Sequence, residues 1–255
     1  MRKKPDSTAG QPIAASQGRL AVPAYFHPRQ CDQWELLAQQ AGAQVRLVIL
    51  NVANGPGRRA DAAFDPFLRR LRDRGVQVAG YVDTNYGRRP EQDVIRDVAA
   101  HRDWYDVTGV CFDRAAASSD QLARYAALAG RARQLGACHV LFNHGVYPLP
   151  GYAEHAEILG VFEGPWRAYL RLAVPRWARR QPAEKFYHVV YAVPAEQQDR
   201  AVQLAMRRGA SCMYITELDG GNPYRRLPAA GLGSTAGARP GAAAALLGAN
   251  RAAQV

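Results

Sequence analysis

Two carboxylates of the chain stand directly after apolar, strand-like runs and could do acid–base chemistry as a pair, Asp113 and Glu163. Hydrolysis of a glycosidic bond needs such a pair: one carboxylic acid protonates the leaving oxygen, and one carboxylate attacks or activates water. Glu163 lies between apolar Phe162 and Trp166, which favours its protonated form and the acid role. Asp113 precedes Arg114, which favours the charged form and the role of nucleophile or base. The residues leave the two roles interchangeable.

Each carboxylate also has a purely structural interpretation, because an acid at the end of a strand is often the N-cap of the next helix. Ser118 and Ser119 already offer caps after Asp113. Asp83 is a third candidate acid, which would orient a sugar or a catalytic partner. Its alternative role is to cap the loop that contains Asn85.

Polar and aromatic side chains gather after nearly every strand-like run. Aromatic faces stack on sugar rings, while amide and imidazole groups bind hydroxyls, so this set predicts a sugar-binding site. Each residue taken alone is also typical of an ordinary structural position. The predicted binding residues are Tyr25, His27, Asn51, Asp83, Tyr86, Arg114, Asn143, His144, His188, Tyr191, Thr216 and Asp219.

Two other chemistries fit the sequence less well. His27, His144 and His188 could join Asp83 in a metal site, but no HxxxH or HxxE spacing supports it, and the four cysteines are isolated. The NGPG at 54–57 lacks the lysine and hydroxyl residue of a phosphate-binding loop, so it predicts a turn. We therefore predict no metal and no cofactor. The segment 220–228 is interpreted as a turn that closes the fold.

Short apolar runs alternate with stretches of helical period along the chain. The predicted strands are 20–26, 45–51, 76–82, 107–113, 139–143, 158–163, 186–192 and 212–216. One helix is predicted to begin at Asp65 as N-cap, with Pro66 next, and to stop at Gly75. The other predicted helices cover 31–42, Pro90 to Tyr105, Ser119 to Gly136, 167–180 and 195–208.

Eight strand–helix repeats predict a (β/α)8 barrel of the TIM type, with an open doubly wound sheet as the rival. The barrel is favoured because polar residues follow almost every strand, whereas an open sheet concentrates its site at one switch point. In a barrel these residues converge on one face. Pro148 and Pro150 interrupt the segment 144–157, which predicts a reduced fifth crossover helix.

Charge and composition limit the partners. The chain has 255 residues, and its formal net charge of +11 falls to +6 when 1–19 and the Gly/Ala-rich 229–255, both predicted to be disordered, are set aside. The intervening 20–228 forms the predicted barrel and contains no Lys/Arg block of nucleic-acid type, so no nucleic-acid partner is expected. With no 18-residue apolar run we expect no membrane partner either. By default we expect a cytoplasmic monomer. If the N-terminus is incomplete, we expect a secreted protein.

Several segments together resemble the spherulation-specific family 4 (spherulin-4-like) proteins: LAVPAYFHP, VILNVANGPG, GYVDTNYGRRP, GVCFDRA, VLFNHG, VFEGPW and YITELDGGNPYRRLP. The resemblance covers roughly 20–228. It implies a (β/α)8 barrel and an endo-glycosidase acting on α-1,4-linked galactosamine or N-acetylgalactosamine polysaccharide. Arg114 departs from the pattern, because the family's hydrolase branch carries a second acid there. The alternative is therefore a barrel that binds glycan without cleaving it, or a structural protein associated with sporulation.

Overall fold

The computed structural model describes residues 19–30, 32–42 and 44–228 and shows a closed barrel of eight parallel strands in chain order. This confirms the (β/α)8 prediction over the open sheet. The strands are β1 (Arg19–Ala24), β2 (Val45–Leu50), β3 (Gln77–Asp83), β4 (Gly109–Asp113), β5 (His139–Asn143), β6 (Ile158–Pro165), β7 (Phe186–Tyr191) and β8 (Cys212–Ile215). The α-helices are α1 (Gln33–Gln40), α2 (Asp65–Asp73), α3 (Glu91–Tyr105), α4 (Leu122–Gln134), α5 (Trp166–Tyr169) and α6 (Gln198–Arg207).

The strands are apolar on both faces because the barrel interior fills one face and the helices cover the other. Tyr187 and Tyr214 are fully buried in the interior, and the hydroxyl of Tyr187 donates to the carbonyl of Ala21 across the barrel at 3.2 Å. Unbroken apolar runs are therefore what a barrel strand requires.

The second helix illustrates how local signals set element ends. α2 begins at Asp65, and Gly75 follows its end with φ of +69°, donating to the Arg72 carbonyl at 2.8 Å. A positive φ is cheap only for glycine, which explains the stop. The N-cap is Phe64 and not Asp65, so this predicted boundary is wrong by one residue.

Two connections carry little α-helix. The β5–β6 connection contains only a short 3-10 turn over Pro150–Glu154, as the prolines predict. The helix predicted over 167–180 is wrong: only Trp166–Tyr169 is α-helical, and a 3-10 turn follows at Ala178–Arg180. Pro175 lies in the middle of that segment, where it removes a backbone donor and clashes with the preceding turn.

The predictions of disorder for 1–19 and 229–255 lie outside the described residues except at Arg19, which begins β1. Within the described ranges, no helix is long and apolar enough to cross a membrane.

Candidate active site

One amide links the two candidate catalytic carboxylates. The Nδ2 of Asn143 donates to Asp113 Oδ1 and to Glu163 Oε2, both at 2.7 Å. The two carboxylate oxygens are therefore at most 5.4 Å apart. An amide group has two hydrogens to donate, so Asn143 satisfies one acceptor with each.

The strand order produces this arrangement. Asp113 ends β4, Asn143 ends β5, and Glu163 lies near the end of β6, so the amide occupies the strand between the two acids. The pairing of β6 with β7 shifts register between Gly160 and Phe162. An irregularity of this kind turns the residues that follow it, and here it precedes Glu163.

Gly160 gives the amide its space. A Cβ at Gly160 would lie 2.2 Å from Asn143 Oδ1, well inside van der Waals contact. Asn143 and Gly160 are partners in the β5–β6 register, so only a residue without a side chain lets the amide lie in this position.

Asp113 is the more enclosed of the two acids, since it is half-buried whereas Glu163 is exposed. Burial, with the charge of Glu163 adding to it, raises the pKa of Asp113 to about 6. Hydrogen bonds from Asn143 and Tyr81 oppose the increase. A charged carboxylate this close opposes ionisation of Asp113, so Asp113 keeps its proton to a higher pH than a free aspartate does.

The guanidinium of Arg114 does not pair with Asp113, contrary to the sequence-based expectation, and only the backbone amide of Arg114 bonds that carboxylate. Its side chain turns to Asp83, with Nε to Oδ1 at 2.8 Å and Nη2 to Oδ2 at 2.5 Å. Arg114 has φ of +48°, in the left-handed region. The guanidinium also lies 5.7 Å from the ring centroid of Tyr86.

The acids lie in an open cleft of about 480 Å³ at the C-terminal ends of the strands. His144 lies in its wall, and burial lowers the pKa of this imidazole to about 4, so it is neutral near pH 7. The lining residues are Tyr25, Tyr81, Tyr86, Asp113, Arg114, Asn143, His144, Glu163, Tyr191, Gly220, Gly221, Pro223 and Tyr224. Eight of the fourteen residues predicted from the sequence thus line one cleft, and Asp83 contacts it through Arg114.

Four other predicted binding residues have structural partners away from the cleft. Asn51 accepts a hydrogen bond from the Gly55 amide, and Thr216 from the Leu218 amide. His188 is fully buried behind β7 against the hydroxyl of Tyr169.

His27, the fourth, bonds Asp61 at 2.9 Å and lies on the β1–α1 connection. These four residues do not line the cleft, so the structure does not bring them together with the two acids. Asp219 lies beside the cleft instead, in an adjoining cavity of about 420 Å³ that it lines with Trp166 and Tyr191.

Sequence reasoning missed two tyrosines that bond the acids. Tyr81 bonds Asp113, and the hydroxyl of Tyr224 donates to Glu163 Oε1. Tyr224 belongs to the segment 220–228, which was interpreted only as a closing turn. That segment does turn, with Asn222 Oδ1 accepting from the Tyr224 amide at 2.9 Å, and it places the ring 5.3 Å from that of Tyr25.

Fold and site together define the class of protein: a (β/α)8 barrel with paired carboxylates in a tyrosine-lined cleft. The model of spherulation-specific family 4 matches residues 19–233, and the chain belongs to this family. Spherulin-4 from Physarum polycephalum is 28% identical over 161 residues, which make up 62% of this chain and 46% of that protein. The chain thus covers about half the length of this curated relative.

Solved structures with similar folds include Sph3 from Aspergillus clavatus in complex with GalNAc, at a TM-score of 0.71 and 22% identity over 84% of this chain and 94% of that one. A deoxyribose phosphate aldolase from Aeropyrum pernix matches at a TM-score of 0.50 and 15% identity over 79% of this chain and 86% of that one. At these identities the likeness concerns the fold, and a shared barrel does not by itself imply a shared reaction.

Proposed function

We propose that this protein is a glycoside hydrolase that cleaves α-1,4-linked galactosamine or N-acetylgalactosamine polysaccharide internally. The observation that carries the proposal is the pair of carboxylates held by one amide, Asp113 and Glu163, in an open cleft. The family resemblance and the fold likeness to Sph3, which binds GalNAc in its crystal structure, support the sugar. An open cleft with aromatic walls admits the middle of a polymer.

The surroundings of the two acids favour distinct roles. Asp113 is half-buried, and hydrogen bonds from Asn143 and Tyr81 hold its carboxylate in one orientation. They partly offset the burial and the charge of Glu163 that raise its pKa to about 6, so the charged form needed for attack prevails above that pH. Glu163 is exposed and can exchange protons with the leaving oxygen and with incoming water. We therefore assign Asp113 as nucleophile and Glu163 as acid and then base.

The separation favours retention of configuration. Retaining enzymes hold their carboxyl groups about 5–5.5 Å apart, and inverting enzymes about 6.5–9.5 Å apart to admit a water. The upper limit of 5.4 Å between the bridged oxygens fits the first class. Asp113 would attack the anomeric carbon as Glu163 protonates the departing oxygen, and water would then release the glycosyl group from Asp113.

The test is release of new reducing ends from a partially deacetylated galactosamine polymer. Asp113→Asn and Glu163→Gln should each reduce release by several orders of magnitude, since acid catalysis alone contributes about 10²–10⁴-fold. The exposed Asp106→Asn and Glu196→Gln serve as matched controls and should retain the wild-type rate. Binding of the polymer without release by the wild-type protein would favour the glycan-binding alternative, which the arginine at position 114 motivates.

A further inference from the structure

Six arginines lie on the β6–β7 connection or at the end of α6, and none of them lines the cleft. Arg179, Arg207 and Arg208 line a cavity of about 460 Å³ between the β6–β7 connection and the end of α6. Arg171, Arg176 and Arg180 are exposed on the same connection. We call these six residues the arginine face.

The charge of the arginine face is not neutralised within the described part of the chain. No Asp or Glu occurs from 164 to 183, and none of the six arginines forms a salt bridge with a described carboxylate. On other helices arginines do pair, as Arg131 does with Glu91 at 2.6 Å. Clustered like charges repel each other, and a bound anion relieves that repulsion.

Part of the arginine face is fixed in place. Arg208 donates to the carbonyls of Tyr169 and Leu170 at 2.7 and 3.1 Å, and its guanidinium lies 4.6 Å from the Tyr169 ring centroid. Arg179 donates through Nε to the Val174 carbonyl at 3.3 Å. Among the described contacts, no hydrogen bond uses the terminal nitrogens of Arg179, so they remain available to an external anion.

Aliphatic side chains lie among these charges. Leu170 is 43% exposed, and the half-buried Leu172 and Val174 line the cavity. Of the three aromatic side chains between 164 and 183, Trp166 and Tyr169 are buried, and Trp177 packs its ring against Tyr147 and Phe186. They therefore offer no open platform for a base or a sugar to stack on.

We propose that the arginine face binds an anionic phospholipid surface. Basic and aliphatic side chains together suit the boundary of a lipid bilayer, where guanidinium groups meet phosphates and an exposed leucine enters the acyl region. The expectation of no membrane partner rested on the lack of a spanning segment, which does not bear on a surface contact. The cavity at the end of α6 shares no lining residue with the cleft, so a contact through the arginine face does not use the cleft residues.

The test is sedimentation of the full chain with vesicles of phosphatidylcholine alone or with one quarter phosphatidylglycerol. We expect binding only to the anionic vesicles, weakening as salt is added. The triple variant Arg176→Ala, Arg180→Ala and Arg207→Ala should bind on the order of 100-fold more weakly, at about fivefold per cationic side chain near such a surface. Arg208 is left unchanged because it ties the segment to its neighbours.

A matched triple variant removes the same charge elsewhere. Arg58, Arg59 and Arg69 are exposed and in no described salt bridge, and changing all three to Ala should leave lipid binding within about twofold of wild type. Leu170→Ser should weaken binding several-fold even at high salt, which a purely electrostatic contact would not show. Equal loss in both triple variants, unchanged binding in the arginine-face variant, or capture by heparin or single-stranded DNA with none by vesicles would overturn the proposal.

Discussion

At the scale of single residues, Asn143 has a role that its sequence position only partly indicates. It follows a strand and was predicted to bind sugar, but in the structure its amide bonds both acids. The order of strands around the barrel decides which polar side chains meet. The sequence pattern does not give the distances between them. Arg114 is a similar case, because it follows Asp113 in the sequence yet its guanidinium pairs with Asp83 on the neighbouring strand.

The shared amide predicts a large catalytic loss on its removal. Asn143→Ala should lower kcat on the order of 10²–10³-fold, the cost of losing one well-placed donor in an active site. Circular dichroism should show a folded barrel. The exposed Gln203→Ala provides an amide control at a distance from the cleft. A kcat within a few-fold of wild type would mean that the amide only positions sugar, and KM would then carry the change.

The raised pKa of Asp113 predicts an acid limb in the pH profile. Attack needs the charged carboxylate, so kcat/KM should fall about tenfold per pH unit below pH 6, the pKa to which burial and Glu163 raise this acid. Initial rates from pH 4 to 8, with fluorescence to confirm folding at each pH, measure this limb. A rate constant that stays flat down to pH 4 would contradict the role of nucleophile for Asp113.

At the scale of elements, most strand ends were predicted to within two residues, but the direction of side chains was not. Along β7 the buried residues alternate, so Tyr187 faces the barrel interior while His188 faces the helices and bonds Tyr169. Thr216 follows β8 yet uses its hydroxyl to cap the turn at Leu218. The side chain of a polar residue near a strand end can thus face the cleft, face the helix layer or bond within its own turn. Only the register of the strands in the barrel decides which of these occurs.

The close packing of β5 on β6 gives a prediction at this scale. Gly160→Ala would place a methyl group 2.2 Å from Asn143 Oδ1 and push the amide off both acids. We expect kcat to fall by one to two orders of magnitude, roughly the effect of a displacement of about 1 Å in an active site. Gly209→Ala is unsuitable as a control because of its φ of +80°, whereas Gly130→Ala in α4 meets nothing within 4 Å. Equal activity in both variants would show that the strand shifts to accommodate the methyl group.

At the scale of the whole molecule, the repeated alternation of strands and helices made the closed barrel predictable. The positions of the segments outside these repeats could not be predicted in the same way. Eight apolar runs separated by helical stretches have few closed arrangements. The segment 220–228 comes after the last repeat, and its fold over the barrel mouth brings Tyr224 to Glu163 through contacts that no period encodes. The arginine face is likewise invisible in the sequence, because its members come from two separate stretches.

The active site also has a cost to the stability of the whole barrel, and this cost depends on pH. Folding raises the pKa of Asp113 to about 6 from an ordinary value of 3.8, so the folded state binds this proton more tightly than the unfolded chain does. The charged form therefore destabilises the barrel above pH 6, and the penalty fades as the pH falls towards 4. Asp113→Asn removes the charge, so it should raise the free energy of unfolding by about 1–2 kcal/mol at pH 8 and by almost nothing at pH 4.

For a barrel of this length that gain corresponds to an increase in Tm of about 2–8 °C, measured by calorimetry at both pH values. The exposed Glu196→Gln, at a residue in no described salt bridge, is the control and should leave Tm unchanged at each pH. A Tm for Asp113→Asn that is lower than wild type at pH 8, or a gain equal at pH 4 and pH 8, would show that the carboxylate is stabilised by its donors more than it is penalised by burial. Asp113 would then contribute to the stability of the fold. A loss of activity in Asp113→Asn could in that case come from a destabilised cleft as well as from the missing nucleophile.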